Sequence, residues 1–235
     1  MTLTFGYRFP VRFVLVAALA LAAAVPAAAG TAKTPVQLYT GALTAARAQH
    51  SAHYIAVSSF GGRTVTIVGD AARDRGIQKI TVKQGTQVGH VTVTVVSNIA
   101  YVRGDAATLK SYMGFTPADA TKYGGRWLSI KPSQPRFAPV AEAVRLLSTI
   151  NELQMPPPFT TLPTTTVAGQ RVNGVRSKFT QAGHDVTETL YVRASGPPLP
   201  VRQVATATGI AVSTTFSRWN EAVHVTAPAH ATPLP

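Results

Sequence analysis

Apolar and polar residues alternate with a period of two along most of the chain beyond residue 51, and this pattern predicts half-buried β-strands. Glycine turns, among them Gly61-Gly62, Arg75-Gly76 and Gly85, separate the alternating segments. Segments of about six to ten residues with tight turns between them are typical of an antiparallel meander. The predicted strands are 54–57, 64–68, 77–83, 87–97 and 99–103, followed after a helical stretch by 164–167, 171–179, 186–192, 201–207, 210–216 and 222–226.

The alternation also predicts which side chains share a face of the sheet, because successive side chains of a strand point to opposite faces. One face receives the apolar residues Val65, Ile67, Ile80, Val82, Val91, Val93 and Val95. The other face receives Thr64, Thr66, Thr81, Lys83, Thr92 and Thr94. We therefore expect one dry, valine-rich face and one wet, threonine-rich face.

Two longer stretches have the period of a helix instead. Residues 35–50 carry a broad apolar stripe that begins just after a proline, which suits a first helical turn. Residues 139–154 predict a second helix, which ends at three consecutive prolines. Its stripe is either ordinary core or a lid over the dry face, and consists of Val140, Val144, Leu146, Leu147, Ile150 and Leu153.

A small helical insert interrupts the strands between residues 98 and 130. Asp105 and Thr116 each precede a short amphipathic segment, as N-cap residues do. Gly124-Gly125 is a typical helix stop, and a new strand is expected around Trp127. Arg103-Gly104-Asp105 also spells an adhesion tripeptide, but a strand end, a turn glycine and a cap account for all three residues. We favour the capping role.

The first 29 residues differ in character from the rest. Arg8 and Arg12 precede an apolar run over 13–25 and a small-residue site at 27–29, which is the layout of a cleaved secretory signal peptide. The run is shorter than the ~20 residues of a transmembrane helix, and a retained anchor is the alternative. We predict a signal peptide over 1–29, a single domain over 30–228 and a flexible tail over 229–235. The cleaved protein is expected to be secreted and soluble in the extracytoplasmic cell envelope.

The composition is strongly basic, with 22 Lys and Arg against 9 Asp and Glu. Removal of the leader, which holds two arginines and no acid, lowers the net charge from +13 to +11. Outside the cytoplasm, the natural counterparts of such a protein are anionic membrane surfaces and anionic wall polymers. The basic residues are scattered, and export removes the usual nucleic-acid targets, so we predict no nucleic-acid partner. We expect a monomer.

Candidate chemistry is sparse. The sequence has no cysteine, which excludes thiol nucleophiles, thiolate metal sites and acylation at a lipobox cysteine. His50 and His53 supply two possible metal ligands, whereas zinc needs three or four. No nucleophile elbow, P-loop or zincin motif occurs, and the acidic residues are dispersed. We predict no metal site, no cofactor and no enzymatic activity.

Two groups of motifs resemble a known family. Residues 100–105 (AYVRGD) and 122–130 (KYGGRWLSI) resemble the corresponding stretch of the actinobacterial LppX/LprG-type exported proteins. Near the C-terminus, residues 191–192, 199–202, 215–220 and 223–228 resemble the end of the same family. Members of the family are typically lipoproteins, and this chain departs from them in having no cysteine to acylate.

The resemblance implies a fold similar to that of the LolA/LolB carriers. This is an α+β fold with a strongly curved antiparallel half-barrel sheet of about 11 strands and helices covering the concave face. The implied function is an exported carrier that binds lipid or acylated glycolipid in a hydrophobic cavity, for transport or storage in the cell envelope. The candidate cavity residues are Val65, Ile67, Ile80, Val93, Val95, Tyr101, Trp127, Val144, Leu147 and Ile150. The alternative is a non-catalytic envelope module of the same fold, packed solid, that binds a protein partner or an anionic wall polymer through its basic surface.

Overall fold

The computed structural model describes residues 33–234, so the predicted signal peptide lies outside the described residues. These residues form five helices and twelve strands. The helices are α1 (Pro35–Arg47), α2 (Ala106–Ser111), α3 (Pro117–Tyr123), α4 (Phe137–Ala143) and α5 (Leu146–Asn151). The strands are β1 (Ser51–Phe60), β2 (Arg63–Ala72), β3 (Gly76–Gln84), β4 (Gln87–Val96), β5 (Ile99–Gly104), β6 (Leu128–Ile130), β7 (Phe159–Val167), β8 (Gln170–Gln181), β9 (His184–Arg193), β10 (Pro200–Ala207), β11 (Ile210–Ser217) and β12 (Thr232–Pro233). No helix within 33–234 combines the length and the hydropathy that crossing a membrane requires.

The twelve strands belong to one sheet in the order β12-β6-β5-β4-β3-β2-β1-β11-β10-β9-β8-β7. Neighbouring strands are antiparallel except β12, which runs parallel to β6. The α+β class and the antiparallel meander are thereby confirmed. The edge strands β7 and β12 do not pair with each other, and the sheet is neither closed nor strongly curled. The expected strongly curved half-barrel is therefore wrong, because the helices pack as a filled layer on an open sheet.

All five helices contribute side chains to the same face of the sheet, which we call the helix side; the opposite face is the outer face. Helices α2, α3 and α4 cover β2–β6 through a cluster that includes Leu109, Tyr123 and Val140. Helices α1 and α5 cover the first strand and the C-terminal strands through a second cluster that includes Leu43 and Leu146. The core thus consists of two neighbouring parts under two groups of helices.

The strand register confirms the predicted faces in β2–β4. Val65 lies opposite Val82, Ile67 opposite Ile80, and Ile80 opposite Val91, so these apolar side chains share the helix side. The threonines that alternate with them lie on the outer face. Gly85 forms the turn between β3 and β4, and a slip of this register by one residue would exchange the two faces. The period of two was therefore a sufficient guide to the buried face.

The caps predicted for the helical insert are also confirmed. The Asp105 carboxylate accepts hydrogen bonds from the backbone N–H groups of Thr108 and His90, both at 2.7 Å. Burial alone would raise the pKa of Asp105, but these hydrogen bonds hold it below its usual value. Thr116 caps α3 by accepting from the backbone N–H of Asp119 at 3.1 Å. The adhesion-like tripeptide therefore serves as a strand end and a helix cap.

The single helix predicted over 139–154 is wrong, because the structure divides that stretch into α4 and α5. At the break, Arg145 has an extended backbone with φ −91° and ψ 139°. The carbonyl oxygen of Ala143 accepts a hydrogen bond from the Gln78 side chain. The Val144 carbonyl oxygen lies so close to Gly76 that a Cβ there would overlap it. Contacts between these carbonyls and the sheet replace the hydrogen bonds of a continuous helix.

The C-terminal part also differs from expectation. Residues 222–226, predicted as a strand, have no regular secondary structure. Beyond them, in the part expected to be a flexible tail, Thr232 lies opposite Leu128 in the parallel β12–β6 pair, and Leu234 is buried. The edge of β6 that faces away from β5 is unpaired without β12. Pairing with β12 provides hydrogen-bond partners for backbone groups of both strands. The end of the described chain is therefore part of the sheet.

Candidate functional site

Most of the predicted cavity residues lie within the filled core. Val65, Ile80, Val93, Val95 and Val144 belong to the cluster under α2–α4. Ile150 belongs to the cluster under α1 and α5.

The interior at these residues is packed. Val95, Val144 and Ile150 have 0% of their surface exposed, so no void large enough for a water molecule touches them. A cavity of about 220 Å³ lies elsewhere, at the β6 edge between Gln134 and Leu234. The space between helices and sheet is thus occupied by side chains at these positions.

The other four candidates occupy different environments. Ile67 is half-buried and touches both clusters. Leu147 lies on the exposed side of α5, with 44% of its surface accessible. Tyr101 lies opposite Thr94, on the outer face, because the helix-side residues of β5 are its neighbours in sequence. Trp127 precedes β6, is half-buried and belongs to neither cluster. Leu147 and Tyr101 therefore lie apart from the buried candidates on the helix side.

A partly open apolar strip does exist, farther along the same face. On the helix side of β1 and β8–β11, the buried cluster ends at Tyr54, Val175, Leu190 and Phe216. The next helix-side residues toward the hairpin ends are half-exposed, except on β8, where Ser177 is buried. We call this strip the groove; its residues are Ala56, Ser58, Phe60, Phe179, Val186, Glu188, Gln203, Ala205, Ala207, Ile210, Val212 and Thr214.

The register places these residues in continuous rows across the strands. Ser58 lies opposite Val212, which lies opposite Ala205, which lies opposite Glu188. Beyond Glu188 the same row reaches Ser177 of β8, which is fully buried. The groove therefore runs from the central strand β1 to the edge of the region covered by α1, and Ile67 borders it on β2.

Glu188 is the ionisable member of the groove set. Its Oε2 atom is buried and has no hydrogen-bond partner among the described residues. Burial raises the pKa of Glu188 from 4.5 to about 7, because the charged form loses its hydration. At neutral pH a large share of these carboxyl groups is therefore uncharged.

Glu188 is not among the site residues predicted from the sequence, although the alternation in β9 places it on the apolar face. In β9 the residues Val186, Glu188, Leu190 and Val192 alternate with polar ones, so a period of two assigns the glutamate to the apolar face. A carboxyl group on a dry face is unusual unless it is paired. That single inconsistency in the alternation was the available signal.

Two buried tyrosines have structural roles. Tyr54 packs beneath Gly69 and accepts a hydrogen bond from Gln78, and burial raises the pKa of Tyr54 to about 12. Tyr39 of α1 accepts from the backbone N–H of Met155 at 2.7 Å, and burial likewise raises its pKa. Both hydroxyls thus stay protonated; that of Tyr39 joins α1 to the segment after α5, and that of Tyr54 joins β1 to β3.

A polar cluster lies at the opposite face. His53 Nδ1 is 2.8 Å from an oxygen of Asp70, and Arg218 contacts both side chains. The carboxylate that His53 lacks in its sequence neighbourhood therefore comes from the adjacent strand. Within residues 33–234 no group of three or more His, Cys, Asp or Glu side chains is placed to hold a metal ion. The cluster ties β1 and β2 to the segment after β11.

Comparison with solved structures identifies the fold. LprF from Mycobacterium bovis matches with 16% identity and a TM-score of 0.57, over 83% of this chain and 97% of that one. The lipoprotein LppX from Mycobacterium tuberculosis matches with 15% identity and a TM-score of 0.52, over 82% of this chain and 98% of that one. A LolA superfamily protein from Nitrosomonas europaea aligns at 9% identity, over 83% of this chain and 96% of that one, with a TM-score of 0.32, too low to support an argument. Models of protein families and curated protein sequences give no match. The chain therefore shares the fold of LprF and LppX, as its motifs predicted.

Proposed function

We propose that this protein is an exported, non-catalytic carrier that binds a lipid or acylated glycolipid along the groove, for transport or storage in the cell envelope. The observation that carries the proposal is the continuation of the buried core by half-exposed apolar side chains such as Ala56 and Val212. Each methylene that such a strip removes from water contributes about 0.8 kcal/mol, so a single acyl chain supplies useful affinity.

The groove differs from the binding site that the sequence suggests. Val95 on the sheet and Val144 at the end of α4 are fully buried, so an acyl chain cannot enter there unless helices move. At the groove no such movement is needed for first contact, since Val212 and Ala205 are already half-exposed. We infer that binding begins in the groove, and that full enclosure of a long chain requires displacement of α5 or α1.

The motifs and the shared fold support the same class of function. The LppX/LprG-type resemblance implies lipid binding, and a protein with this fold is itself a lipoprotein. Since this sequence has no cysteine to acylate, we place the protein in the extracytoplasmic envelope as a secreted form, after cleavage of a signal peptide over 1–29. The domain then begins at residue 30.

We infer that the protein also binds an anionic membrane surface, through the outer face and not through the groove. On the outer face Ile55, Val57 and Val68 expose 41%, 36% and 37% of their surface. Lys79 of β3 lies directly opposite Val68. Arg103 of β5 lies in the same row across the sheet, two strands beyond Lys79. Exposed apolar side chains beside cations suit a bilayer with anionic headgroups. The high net positive charge acts in the same direction.

A second candidate function has one observation in its favour. The packed interior around Val95, Val144 and Ile150 is also what a module without a ligand would have. Such a module would bind a protein or an anionic wall polymer through its basic surface, and its groove would take up no lipid. Lipid uptake therefore separates the two candidates.

Val212→Asp should weaken binding of an uncharged fluorescent lipid, a monoacylglycerol with a pyrene-labelled acyl chain, about tenfold or more. The substitution places a charge in the centre of the groove, where an acyl chain would have to desolvate it. Ala211→Asp is the matched control, because Ala211 is the preceding residue of β11, is exposed and lies on the outer face. Fluorescence titration of the wild type and both variants, with thermal unfolding as a check of folding, gives the measurement.

The control variant should bind within about twofold of the wild type, since it adds a solvated surface charge. If the wild type takes up no probe but binds anionic polymer in a salt-sensitive way, the module without a ligand is the correct function. If both variants bind as the wild type does, the probe is bound elsewhere and the groove is not the site.

A further inference from the structure

Glu188 interrupts an otherwise uncharged groove, and its Oε2 atom is buried without a described hydrogen-bond partner. On the same strand, its helix-side neighbours are Val186 and Leu190. Polar atoms in such positions are normally satisfied by the protein, by water or by a bound group.

The residues directly opposite Glu188 on the two neighbouring strands supply no hydrogen-bond partner for its Oε2 atom. Ala205 on β10 has no polar side chain. Ser177 on β8 has one, but its hydroxyl donates to the backbone carbonyl oxygen of Pro156 and so has no proton left to give. The carboxyl oxygen therefore remains available at the inner end of the groove.

No cation of the described chain neutralises it either. The ion pairs of Asp70, Asp74 and Glu221 lie away from the groove, and burial is the cause of the shift at Glu188. Burial also raises the pKa of Glu188 to about 7, which favours a neutral carboxyl at physiological pH. A neutral carboxyl offers one hydrogen-bond donor and acceptor positions, which matches a hydroxyl group in both respects.

We propose that Glu188 anchors the head of an uncharged, hydroxyl-bearing lipid, of which a monoacylglycerol is the simplest example, while the acyl chain lies along Val212 and Ala56. This inference rests on the carrier function proposed above and specifies the chemistry of its ligand. A lipid with a carboxylate head is disfavoured, because it would place two acidic groups together. A lipid with an ammonium head would have to form an ion pair where both charges lose hydration.

The test compares two lipids that differ in their hydroxyl groups, monolauroylglycerol and methyl laurate, by isothermal titration below their critical micelle concentrations. The wild type should bind the glyceride about tenfold more tightly. Glu188→Leu should lose this preference and still bind methyl laurate at least as well. Glu188→Gln, whose amide keeps a donor and an acceptor, should retain most of the preference.

Each other outcome overturns a distinct claim. If Glu188→Leu weakens both lipids equally, the residue only supports the groove and anchors nothing. If dodecylamine is the ligand whose affinity depends most on Glu188, the head group is a cation and the proposed class is wrong. If the wild type binds both lipids equally, the anchor fails while the carrier function stands, whereas uptake of neither lipid removes the carrier function itself.

Discussion

Leu146→Ala should lower the free energy of unfolding by about 3 kcal/mol, as expected when a fully buried leucine leaves a cavity in a packed core. Leu146 has no exposed surface and belongs to the cluster that α1 and α5 form with the sheet. Urea denaturation followed by circular dichroism measures the change, with the slope of the transition checked for constancy.

The next residue provides a matched control within the same helix. Leu147 exposes 44% of its surface, so Leu147→Ala should cost no more than about 0.5 kcal/mol. Helical periodicity assigned both leucines to one apolar stripe, and the break at Arg145 separates their environments. Equal losses in the two variants, or a larger loss at Leu147, would mean that α5 presents its other face to the sheet.

Glu188 should make the protein less stable as the pH rises from 4.5 to 7. The unfolded chain releases this proton near pH 4.5, whereas the folded chain keeps it until about pH 7. Between these values the folded state binds more protons, so raising the pH favours unfolding. The stabilising difference is complete below pH 4.5 and is lost as the pH passes about 7. Its size is on the order of 3 kcal/mol, at 1.36 kcal/mol for each unit of pKa difference.

Glu188→Gln isolates this effect, because glutamine does not titrate and fills nearly the same volume. The free energy of unfolding of the wild type minus that of the variant should therefore fall across this pH window. Tyr39 is the titratable side chain of α1 that interacts electrostatically with Glu188, and its raised pKa keeps it neutral throughout the window. A difference that stays flat from pH 4.5 to 7.5 would show that water reaches the carboxyl freely.

The sequence was a good guide wherever local chemistry decides the outcome. The period of two in β2–β4 placed Val65 and Ile80 on the buried face. Short polar side chains before amphipathic segments located both caps of the insert, at Asp105 and Thr116. These features depend on residues close together in the chain, which a pattern can represent.

Features that depend on contacts between distant parts of the chain were harder to predict from the sequence. The break between α4 and α5 arises from contacts of Ala143 and Val144 with β3. Gln78, which donates to the Ala143 carbonyl oxygen, is 65 residues away in the sequence. The family resemblance implied a strongly curved sheet with a cavity. The residues themselves could not decide whether a cavity exists, because valine and isoleucine are used alike to line a hollow and to fill a core. For Glu188, the alternation could predict its position on the apolar face, but it could not predict that its Oε2 atom has no hydrogen-bond partner in the described part of the chain.

The most direct test of a lipid carrier is native mass spectrometry of the full chain purified from its own host. We predict that the wild type carries a co-purifying lipid, observed as a reproducible mass increment, and that Val212→Asp loses most of it while Ala211→Asp keeps it. Repeated preparations without any bound lipid, or equal loading of the two variants, would contradict the proposed carrier function of the groove.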